Sequence, residues 1–440
     1  MKKTLTIVVL GVLLSVCALA QTPRPAQGVP GGVPGGVALG SSADLRAESF
    51  DIVWTTVRDK HFDPTLGGVD WNKVREQYAP RAAAAKGDSE FYSVLQQMLG
   101  ELHQSHFGII PPEAIVQEDS HEPKGGGIGI DLRLVEGLPT ITRVEPDSTA
   151  AAAGLRPGFI IKTVGDTSAG QIIGLFARST DSPAIKSLRI TRTFLARING
   201  APETSVRITY VDQDNQSREA TIQRARLKGE MSERFGNFPP QYMQFEAKRI
   251  ANNIGYIRFN IFVIGLLERI KSAIRGMSDA SGIIIDVRGN PGGLGGIAAG
   301  IAGVLEEKQT SLGTMHQRVG HVNFAVFPQP NVYSGPVVIV TDGGSASTSE
   351  IFAAGLQELG RAVVVGERTA GAALPSIIQK LPTGALFQYA IGDFKTPKGT
   401  LIEGRGVIPD VEVKFTRRSL LDGRDVQLEA AIEQIKRQSK

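Results

Sequence analysis

The sequence predicts a multidomain α/β protein, in which a helical N-terminal segment precedes a β-rich module and an α/β domain. Three observations carry this prediction. The chain has 440 residues, enough for two to three domains at about 150 residues each. Helical periodicity dominates the first part of the chain, and continuous apolar strands alternate with helical stretches in the last part. Such alternation is typical of βαβ crossovers and a largely parallel sheet.

Composition excludes several classes of protein. Hydrophobic residues make up 41% of the chain and charged residues 21%, which excludes a wholly disordered or coiled-coil protein. The formal charge is only +4, and no basic cluster of the nucleic-acid-binding type is present, so no nucleic-acid partner is predicted. The single cysteine, Cys17, allows no disulfide within the chain.

Residues 1–20 have the pattern of a secretory signal peptide. A lysine pair precedes the apolar run Thr4–Val16, and Ala18–Ala20 fits a small-residue cleavage site. We therefore expect an exported protein, periplasmic or secreted, with no stable membrane insertion after cleavage. An uncleaved anchor and a lipoprotein attached through Cys17 are the alternatives, and the bulk of Val16 disfavours the lipoprotein.

The remaining segments follow in order along the chain. Residues 21–43 are rich in Pro and Gly and predict a disordered linker. Residues 44–115 show apolar positions at helical spacing and predict a helical domain, and residues 124–226 contain short strands and turns. Residues 240–440 carry the α/β pattern and a C-terminal amphipathic helix. Its predicted strands are Gly282–Val287, Val337–Thr341, Ala362–Val365, Leu386–Ala390 and Val411–Phe415, the last two at the sheet margin.

A first loop, Asp286–Gly293, leaves a buried strand and enters a helix. Backbone N–H groups at such a turn can bind an anion. The loop therefore suggests either a dinucleotide site or an oxyanion donor at the N–H of Gly293, and tight strand-to-helix packing is the simplest alternative. Pro291 within the turn argues against the dinucleotide site.

A second loop, Asp342–Glu350, also joins a strand to a helix. A serine at a helix N-terminus gains from the helix dipole, and the next N–H can face a developing oxyanion. However, Ser347-x-x-Glu350 is also a capping box, and on the local sequence alone capping is the simpler interpretation.

A nucleophilic serine needs a base, and the chain offers six histidines. These are His61, His103, His106, His121, His316 and His321. His103 and His106 are spaced as a metal pair could be, but no third ligand lies nearby in the sequence, so no metal is predicted. Local sequence does not select a base among the six.

The two loops together resemble the carboxy-terminal processing (tail-specific) serine proteases. The stretches that carry the resemblance are Gly282–Gly293, Val337–Glu350, Gly360–Thr369 and Ile402–Asp410. The middle module, with Gly126–Ile130 and Ala153–Gly158, resembles the PDZ domain of those proteases. The resemblance implies a PDZ-like β-rich module at 124–226 and a ClpP/crotonase-like α/β protease domain at 240–440.

The resemblance also implies roles for individual residues. Ser347 matches the family's nucleophile, and the backbone N–H groups of Gly293 and Thr348 match its oxyanion donors. Ala372 stands where one branch of the family has its lysine base, so a Ser/Lys dyad at that place is excluded.

A second branch, similar to the tricorn core protease, takes its base from a Ser-His pair before the PDZ region. Gly100–His106 resembles that motif and implies His106 as the base beside Ser105, and Glu403 matches the carboxylate that completes the relay. The sequence is therefore predicted to be a Ser/His/Glu serine endopeptidase that needs no cofactor.

The PDZ-like module implies capture of a free C-terminus by backbone N–H groups around Gly127, Ile128 and Gly129. Protein or peptide substrates are the predicted partners, and the oligomeric state is left open. The rival hypothesis is a non-catalytic peptide- or apolar-ligand-binding protein on the same fold. Joint retention of Ser347, His106, Ser105 and Glu403 argues against it, because a binder needs none of them.

Overall fold

The computed structural model of the protein describes residues 42–114, 125–177, 179, 181–227 and 229–438. The predicted signal peptide, His121 and all but the last two residues of the predicted linker lie outside these ranges.

Helices occur in all three predicted regions. In chain order they are α1 (Ser42–Lys60), α2 (Trp71–Ala83), α3 (Asp88–Gly100), α4 (Thr149–Ala152), α5 (Ala169–Gly174), α6 (Pro183–Ile198), α7 (Ile264–Gly276), α8 (Gly295–Ala302), α9 (Thr348–Glu358), α10 (Arg417–Leu421) and α11 (Val426–Gln438). None of the helices in the described ranges is long and apolar enough to cross a membrane.

Strands begin after α3. In chain order they are β1 (Gly108–Ile110), β2 (Gly126–Gly127), β3 (Ile130–Val135), β4 (Leu138–Val144), β5 (Ile160–Val164), β6 (Thr167–Ser168), β7 (Ser205–Val211), β8 (Ser217–Gln223), β9 (Ala225–Arg226), β10 (Glu230–Met231), β11 (Tyr242–Met243), β12 (Phe245–Ile250), β13 (Ile254–Phe259), β14 (Gly282–Asp286), β15 (Thr310–Gln317), β16 (His321–Val326), β17 (Val337–Thr341), β18 (Val363–Gly366), β19 (Ser376–Lys380), β20 (Leu386–Ala390), β21 (Gly392–Lys395) and β22 (Val411–Glu412).

The first three helices pack around one hydrophobic core. Phe50, Val53, Trp54 and Val57 on α1 meet Phe91 and Leu95 of α3, as the helical spacing predicts. The indole N–H of Trp54 donates to the carbonyl of Trp71, and that of Trp71 donates to the carbonyl of Trp54, each at 3.0 Å. The same core includes Phe387 and Tyr389 of β20, so a strand from far along the chain completes the helical region.

The middle region is an antiparallel sheet with a separate core. Its strands lie in the order β3-β4-β5-β7-β8, and β6 pairs with β5. Leu132, Ile141, Ile161 and Ile208 from the sheet pack against Phe194 of α6. β3 is at the edge of this sheet, so its outer side has no partner strand among the described residues.

A six-stranded sheet forms the main body of the last region. Its order is β12-β13-β14-β17-β18-β22, and every pair is parallel except β12 with β13. All residues of β14 and β17 are buried, because helices cover both faces of the sheet. In such sheets the loops at the carboxyl ends of neighbouring parallel strands form the binding crevice, and the loops after β14 and β17 lie there together.

One strand is placed differently from the prediction. Leu386–Ala390 forms β20 as predicted, but it is not at the margin of the main sheet. It lies between β1 and β19 in a separate three-stranded antiparallel sheet that packs on the helical core. The other marginal strand is found at the edge of the main sheet, shortened to Val411–Glu412.

Candidate active site

The loop between β14 and α8 is held close to the helix that follows β17. Asn290 Nδ2 donates to the carbonyl of Phe259, and Thr348 Oγ1 donates to the carbonyl of Gly293 at 2.8 Å. Gly292 has φ +102. A Cβ on it would lie 2.7 Å from the Cβ of Ser347 and 2.7 Å from the backbone N of Thr348. Only glycine therefore fits this close approach of the two loops.

Ser347 occupies a strained position at the start of α9. Its φ and ψ are 56° and −119°, in a region that non-glycine residues rarely adopt. The carboxylate of Glu350 accepts the N–H of Ser347, as the capping box predicts, while the hydroxyl of Ser347 lies within hydrogen-bond reach of His106. The serine therefore begins the helix and also faces an imidazole, so the capping and nucleophile interpretations do not exclude each other.

Four predicted side chains form one continuous hydrogen-bonded chain. Ser347 Oγ lies 3.2 Å from His106 Nε2, and His106 Nδ1 lies 2.7 Å from Ser105 Oγ. Ser105 donates its hydroxyl to Glu403 Oε2 and its backbone N–H to Glu403 Oε1, both at 2.9 Å. The structure thus brings together residues 105, 106, 347 and 403 from three distant parts of the sequence.

The hydrogen-bonding pattern assigns the tautomer of His106. A carboxylate can only accept, so the hydroxyl proton of Ser105 points to Glu403. Ser105 Oγ then accepts from Nδ1–H of His106, which leaves the lone pair of Nε2 facing the hydroxyl of Ser347. This is the arrangement in which a neutral histidine can take a proton from a serine.

Burial shifts the pKa values of both titratable members of this chain, His106 and Glu403. Burial, with a smaller effect from the positive charge of Arg192, lowers the pKa of His106 to about 4. Burial also raises the pKa of Glu403, although hydrogen bonds from Ser105 and Ala373 oppose that shift. The imidazole is therefore neutral at physiological pH.

Two backbone N–H groups beside Ser347 are available to a ligand. Among the described residues, none accepts a hydrogen bond from the N–H of Gly293 or of Thr348. Thr348 is the first residue of α9, where a helix leaves its N–H groups without intrahelical partners. Phe262 holds the Gly293 segment, because its N–H donates to the carbonyl of Gly292 and its carbonyl accepts from Leu294, each at 2.8 Å.

Comparison with known families accounts for this arrangement. Residues 253–413 match peptidase family S41, and residues 43–100 match the tricorn protease C1 domain. The match to the S41 family thus covers the last region of the chain, including both loops beside Ser347. The predicted family resemblance and the predicted serine-type peptidase activity are both confirmed, and a purely binding function is not favoured.

Relatives of this chain carry matching names. A carboxyl-terminal-processing protease of Synechocystis sp. is 25% identical over 389 residues, which cover 86% of this chain and 84% of that protein. A carboxy-terminal processing protease, CtpB, of Bacillus subtilis is 26% identical over 329 residues, 73% of this chain and 62% of that protein. Tricorn protease homolog 2 of Streptomyces coelicolor is 24% identical over 398 residues, which cover 88% of this chain and 32% of that protein.

Solved structures share the fold. The photosystem II D1 C-terminal processing protease aligns with a TM-score of 0.59 at 21% identity, covering 88% of this chain and 99% of the other. Mature CPAF aligns with a TM-score of 0.62 at 14% identity, covering 90% and 97%. The branch of these proteases to which the chain is closer stays a prediction.

Glu350 has a position in this S41 domain that the sequence analysis did not foresee. The side chain is fully buried and accepts four hydrogen bonds. Oε2 accepts from the N–H groups of Ser347 and Ala372, both at 3.0 Å, and Oε1 accepts from Thr369 Oγ1 at 2.5 Å and Gly371 N at 2.8 Å. The carboxylate thus joins the Ser347 loop to the segment Thr369–Ala372. The Ser-x-x-Glu spacing was the only signal for it.

Ala372, which replaces the lysine of the other branch, has a backbone role here. Its carbonyl accepts the N–H of Ser347 at 2.8 Å, and its methyl group is buried with Leu188 of α6, Ala346 and Ala370. Lys380 is at the far, exposed end of β19 and forms no part of the hydrogen-bonded chain.

The middle module contacts the site through Arg133, which sequence reasoning missed, and the partner of Arg133 is Asp342 in the second loop. Arg133 of β3 forms a buried ion pair with Asp342, with 2.6 Å between Nε and Oδ2. Asp342 also accepts the N–H groups of Gly289 and Gly344 at 2.8 Å. A cation in the middle module therefore supports both loops of the S41 domain.

Other histidines have structural surroundings. Among the described residues, no three His, Cys, Asp or Glu side chains are grouped as metal ligands. His61 is buried between hydrogen bonds to Asp63 and Gln104, and His316 pairs with Asp393 at 2.9 Å. His103 is exposed, and His321 lies on β16 opposite His316.

The three residues of the predicted peptide-capture loop lead into β3. Gly127 pairs with Ala225 through β2 and β9, and Ile128 is buried in the core of the middle module. Gly129 has φ +81, and its carbonyl accepts the N–H of Glu145 at 2.9 Å.

Proposed function

We propose that the protein is a Ser/His/Glu endopeptidase that cleaves exported proteins or peptides near their C-termini. The hydrogen-bonded chain from Glu403 through Ser105 and His106 to Ser347 is the observation that carries this proposal. Each of its members has the atom that the reaction needs within hydrogen-bond reach of the next.

In the first step Ser347 Oγ attacks the carbonyl carbon of a peptide bond. His106 Nε2 takes the hydroxyl proton, which makes the imidazole cationic. Ser105 accepts from Nδ1–H and donates to Glu403, so the carboxylate stabilises that cation through one hydroxyl. Before substrate enters, the low pKa of His106 keeps this base unprotonated.

The negative charge on the carbonyl oxygen goes to the N–H groups of Gly293 and Thr348. Both N–H groups are already fixed by the loop geometry, so little reorganisation accompanies the reaction. Loss of one such donor typically lowers the rate by about 10²–10³. His106 then protonates the leaving amine, and water attacks the acyl-enzyme with the same histidine as base.

The middle module fits a role in substrate capture. This module has its own core, β3 is the edge strand of its sheet, and α6 packs beside β3, so a peptide strand could add there with its carboxylate at Gly127–Gly129. Relatives named carboxyl-terminal-processing proteases support a substrate with a free C-terminus. Residues 1–20 as a signal and 21–43 as a linker would bring the enzyme to exported substrates.

Covalent labelling tests the nucleophile. We expect a fluorophosphonate probe to label the intact protein at one site, and mass spectrometry of the digested adduct to locate it on Ser347, because the probe reports a serine activated by a base. Absence of labelling, or an adduct on another residue, would contradict the proposed mechanism. Heat-denatured protein is the control, since unfolding separates His106 from Ser347.

Glu350 leads to a prediction about pH. All four of its polar contacts donate to the carboxylate, so a proton on Glu350 removes a hydrogen bond that fixes the Ser347 loop. Burial raises the pKa of Glu350 to about 7, whereas His106 stays neutral down to its pKa of about 4. We therefore expect kcat/KM to decrease as the pH falls through about 7, before the base is protonated.

The pH profile of the Glu350→Gln variant shows whether the loss of activity at low pH is caused by protonation of Glu350 or of His106. The amide does not titrate, so we expect a lower kcat/KM that is flat in the neutral range, in a protein whose thermal melting shows that it is folded. A wild-type profile that stays flat to about pH 5 would assign the acid limb to His106 instead.

A further inference from the structure

Helix α6 of the middle module lies against the loop that carries Ser347. Leu188 of α6 is buried in one apolar cluster with Ala346 and Ala372. Ala346 directly precedes Ser347, and the carbonyl of Ala372 accepts the N–H of Ser347 at 2.8 Å. Residues four apart share one face of a helix, so Arg192 continues the face that Leu188 begins. Arg192 therefore belongs to the surroundings of the nucleophile, although it is part of another module.

The side chain of Arg192 makes no hydrogen bond or ion pair to another residue in the described ranges. Two arginines whose charges reach it are both paired. Arg189 Nη1 lies 2.9 Å from Asp181 Oδ2, and Arg133 Nε lies 2.6 Å from Asp342 Oδ2. The guanidinium of Arg192 thus keeps its donors and its charge for a ligand, whereas the charges of its two neighbours are compensated within the protein.

Arg192 is accessible to solvent and yet closely surrounded by protein. Its side chain is exposed, but desolvation by the groups around it and the positive charges of Arg189 and Arg133 lower its pKa. These two properties together describe a side chain on the wall of an open cleft. Its charge also lowers the pKa of His106, which places the base within electrostatic reach. A peptide bound at His106 therefore passes close to Arg192.

A cation without a partner at this place opposes the proposed reaction. His106 becomes positively charged when it takes the proton of Ser347, and like charges repel. A carboxylate on Arg192 cancels most of this repulsion, because the base then faces an ion pair instead of a free charge. A substrate that supplies the carboxylate therefore gains in the transition state as well as in binding.

A peptide carries carboxylates at its C-terminus and on its Asp and Glu side chains. The proposed capture site at Gly127–Gly129 takes the C-terminal carboxylate, so the group left for Arg192 is a side chain. The planar guanidinium matches a carboxylate through two parallel hydrogen bonds, which gives the contact a defined geometry.

We infer that Arg192 binds the side-chain carboxylate of a substrate Asp or Glu next to the scissile bond and thereby makes the peptidase select acidic cleavage sites. The inference rests on the proposed function and adds a specificity-determining residue to it. Arg192 neither attacks the peptide nor transfers a proton. Its contribution therefore depends on the substrate, unlike the contributions of Ser347 and His106.

A glutamate scan of the substrate tests this selection. The probe is a casein-derived peptide that the wild-type enzyme cleaves at one bond identified by mass spectrometry. It is resynthesised with Glu, Gln or Lys at each residue in turn, and each peptide is made with a free and with an amidated C-terminus. At one position beside the bond we expect kcat/KM to be about tenfold higher with Glu than with Gln, with part of the gain in kcat.

Substitutions at Arg192 assign the preference to this side chain. In Arg192→Gln we expect the Glu peptide to lose about tenfold in kcat/KM, while kcat for the Gln peptide rises about twofold because the base no longer faces a free cation. Arg192→Lys should keep part of the preference, and Arg192→Glu should favour the Lys peptide. Arg197→Gln, in the exposed last turn of the same helix, is the matched control and should leave the preference unchanged. Thermal melting shows whether each variant is folded.

The outcomes separate the inference from the proposed function. If no casein peptide were cleaved, the proposed function would be overturned together with this inference. Cleavage without a preference for Glu at any position, or a preference that survives in Arg192→Gln, would overturn the inference alone. An equal loss for the Glu and Gln peptides would show that Arg192 acts only on the fold or on His106. A preference that depends on the free C-terminus and not on Glu would assign Arg192 to the terminal carboxylate and would likewise contradict the inference.

Discussion

Ser347→Ala is expected to lower kcat for peptide hydrolysis by about 10⁶, with the thermal melting temperature close to that of the wild type. The hydroxyl of Ser347 lies 3.2 Å from His106 Nε2, whereas the contact of Ser347 with the Glu350 carboxylate is made by its backbone N–H and is kept in alanine. Any residual rate would come from the oxyanion donors and from substrate binding.

Ser349→Ala is the matched control for this variant, because it changes the second serine of the same motif. Ser349 Oγ is buried and donates to the carbonyl of Asn290 at 2.9 Å, and that carbonyl also accepts the N–H of Ala346. We expect a loss of stability of about 1 kcal/mol and retention of most of kcat. A dead Ser349→Ala enzyme beside an active Ser347→Ala enzyme would reverse the assignment of the nucleophile.

The parts of the fold that were predictable from the sequence are those with a strong local pattern. Val337–Thr341 and Leu386–Ala390 have the predicted bounds, because a short apolar run between turn residues is typical of a strand. The loops that follow the buried strands of the main sheet were identified by the same pattern. α6 also had a usable signal, with Ser182 and Pro183 at its start and buried residues at helical spacing, which the sequence analysis did not exploit.

The candidate site was predictable only through family resemblance. Ser105 and Glu403 are 298 positions apart, and Ser347 is 241 positions from His106, so no local pattern relates them. Capping and catalysis also require the same serine at the same place, and the local sequence favoured capping. The fold resolves that ambiguity, because it places His106 Nε2 3.2 Å from the Oγ of Ser347, a contact that is not encoded in the Ser-x-x-Glu spacing.

Pairings between distant strands were missed for a related reason. β1 and β20 are nearly 280 positions apart, and β19 has no strict apolar alternation in Ser376–Lys380. Its placement depends on its neighbours in the small sheet and on the helical core beneath it, that is, on tertiary contacts that override weak strand propensity.

His106→Ala is expected to lower kcat by about as much as Ser347→Ala, near 10⁶, because without a base the hydroxyl of Ser347 is a weak nucleophile. His103→Ala is the matched control, since this exposed histidine is three residues earlier and its side chain is outside the hydrogen-bonded chain. Measurement of kcat with the same peptide and of thermal melting separates a catalytic loss from misfolding.

The double variant gives the sharper result. Residues that act as one unit lose their contribution once, so Ser347→Ala combined with His106→Ala should be no slower than either single variant. If the two losses multiplied instead, Ser347 and His106 would contribute to catalysis independently, and the 3.2 Å contact between Oγ and Nε2 would not be the proton-transfer step. Non-additivity in this pair therefore tests the mechanism itself rather than the importance of either residue.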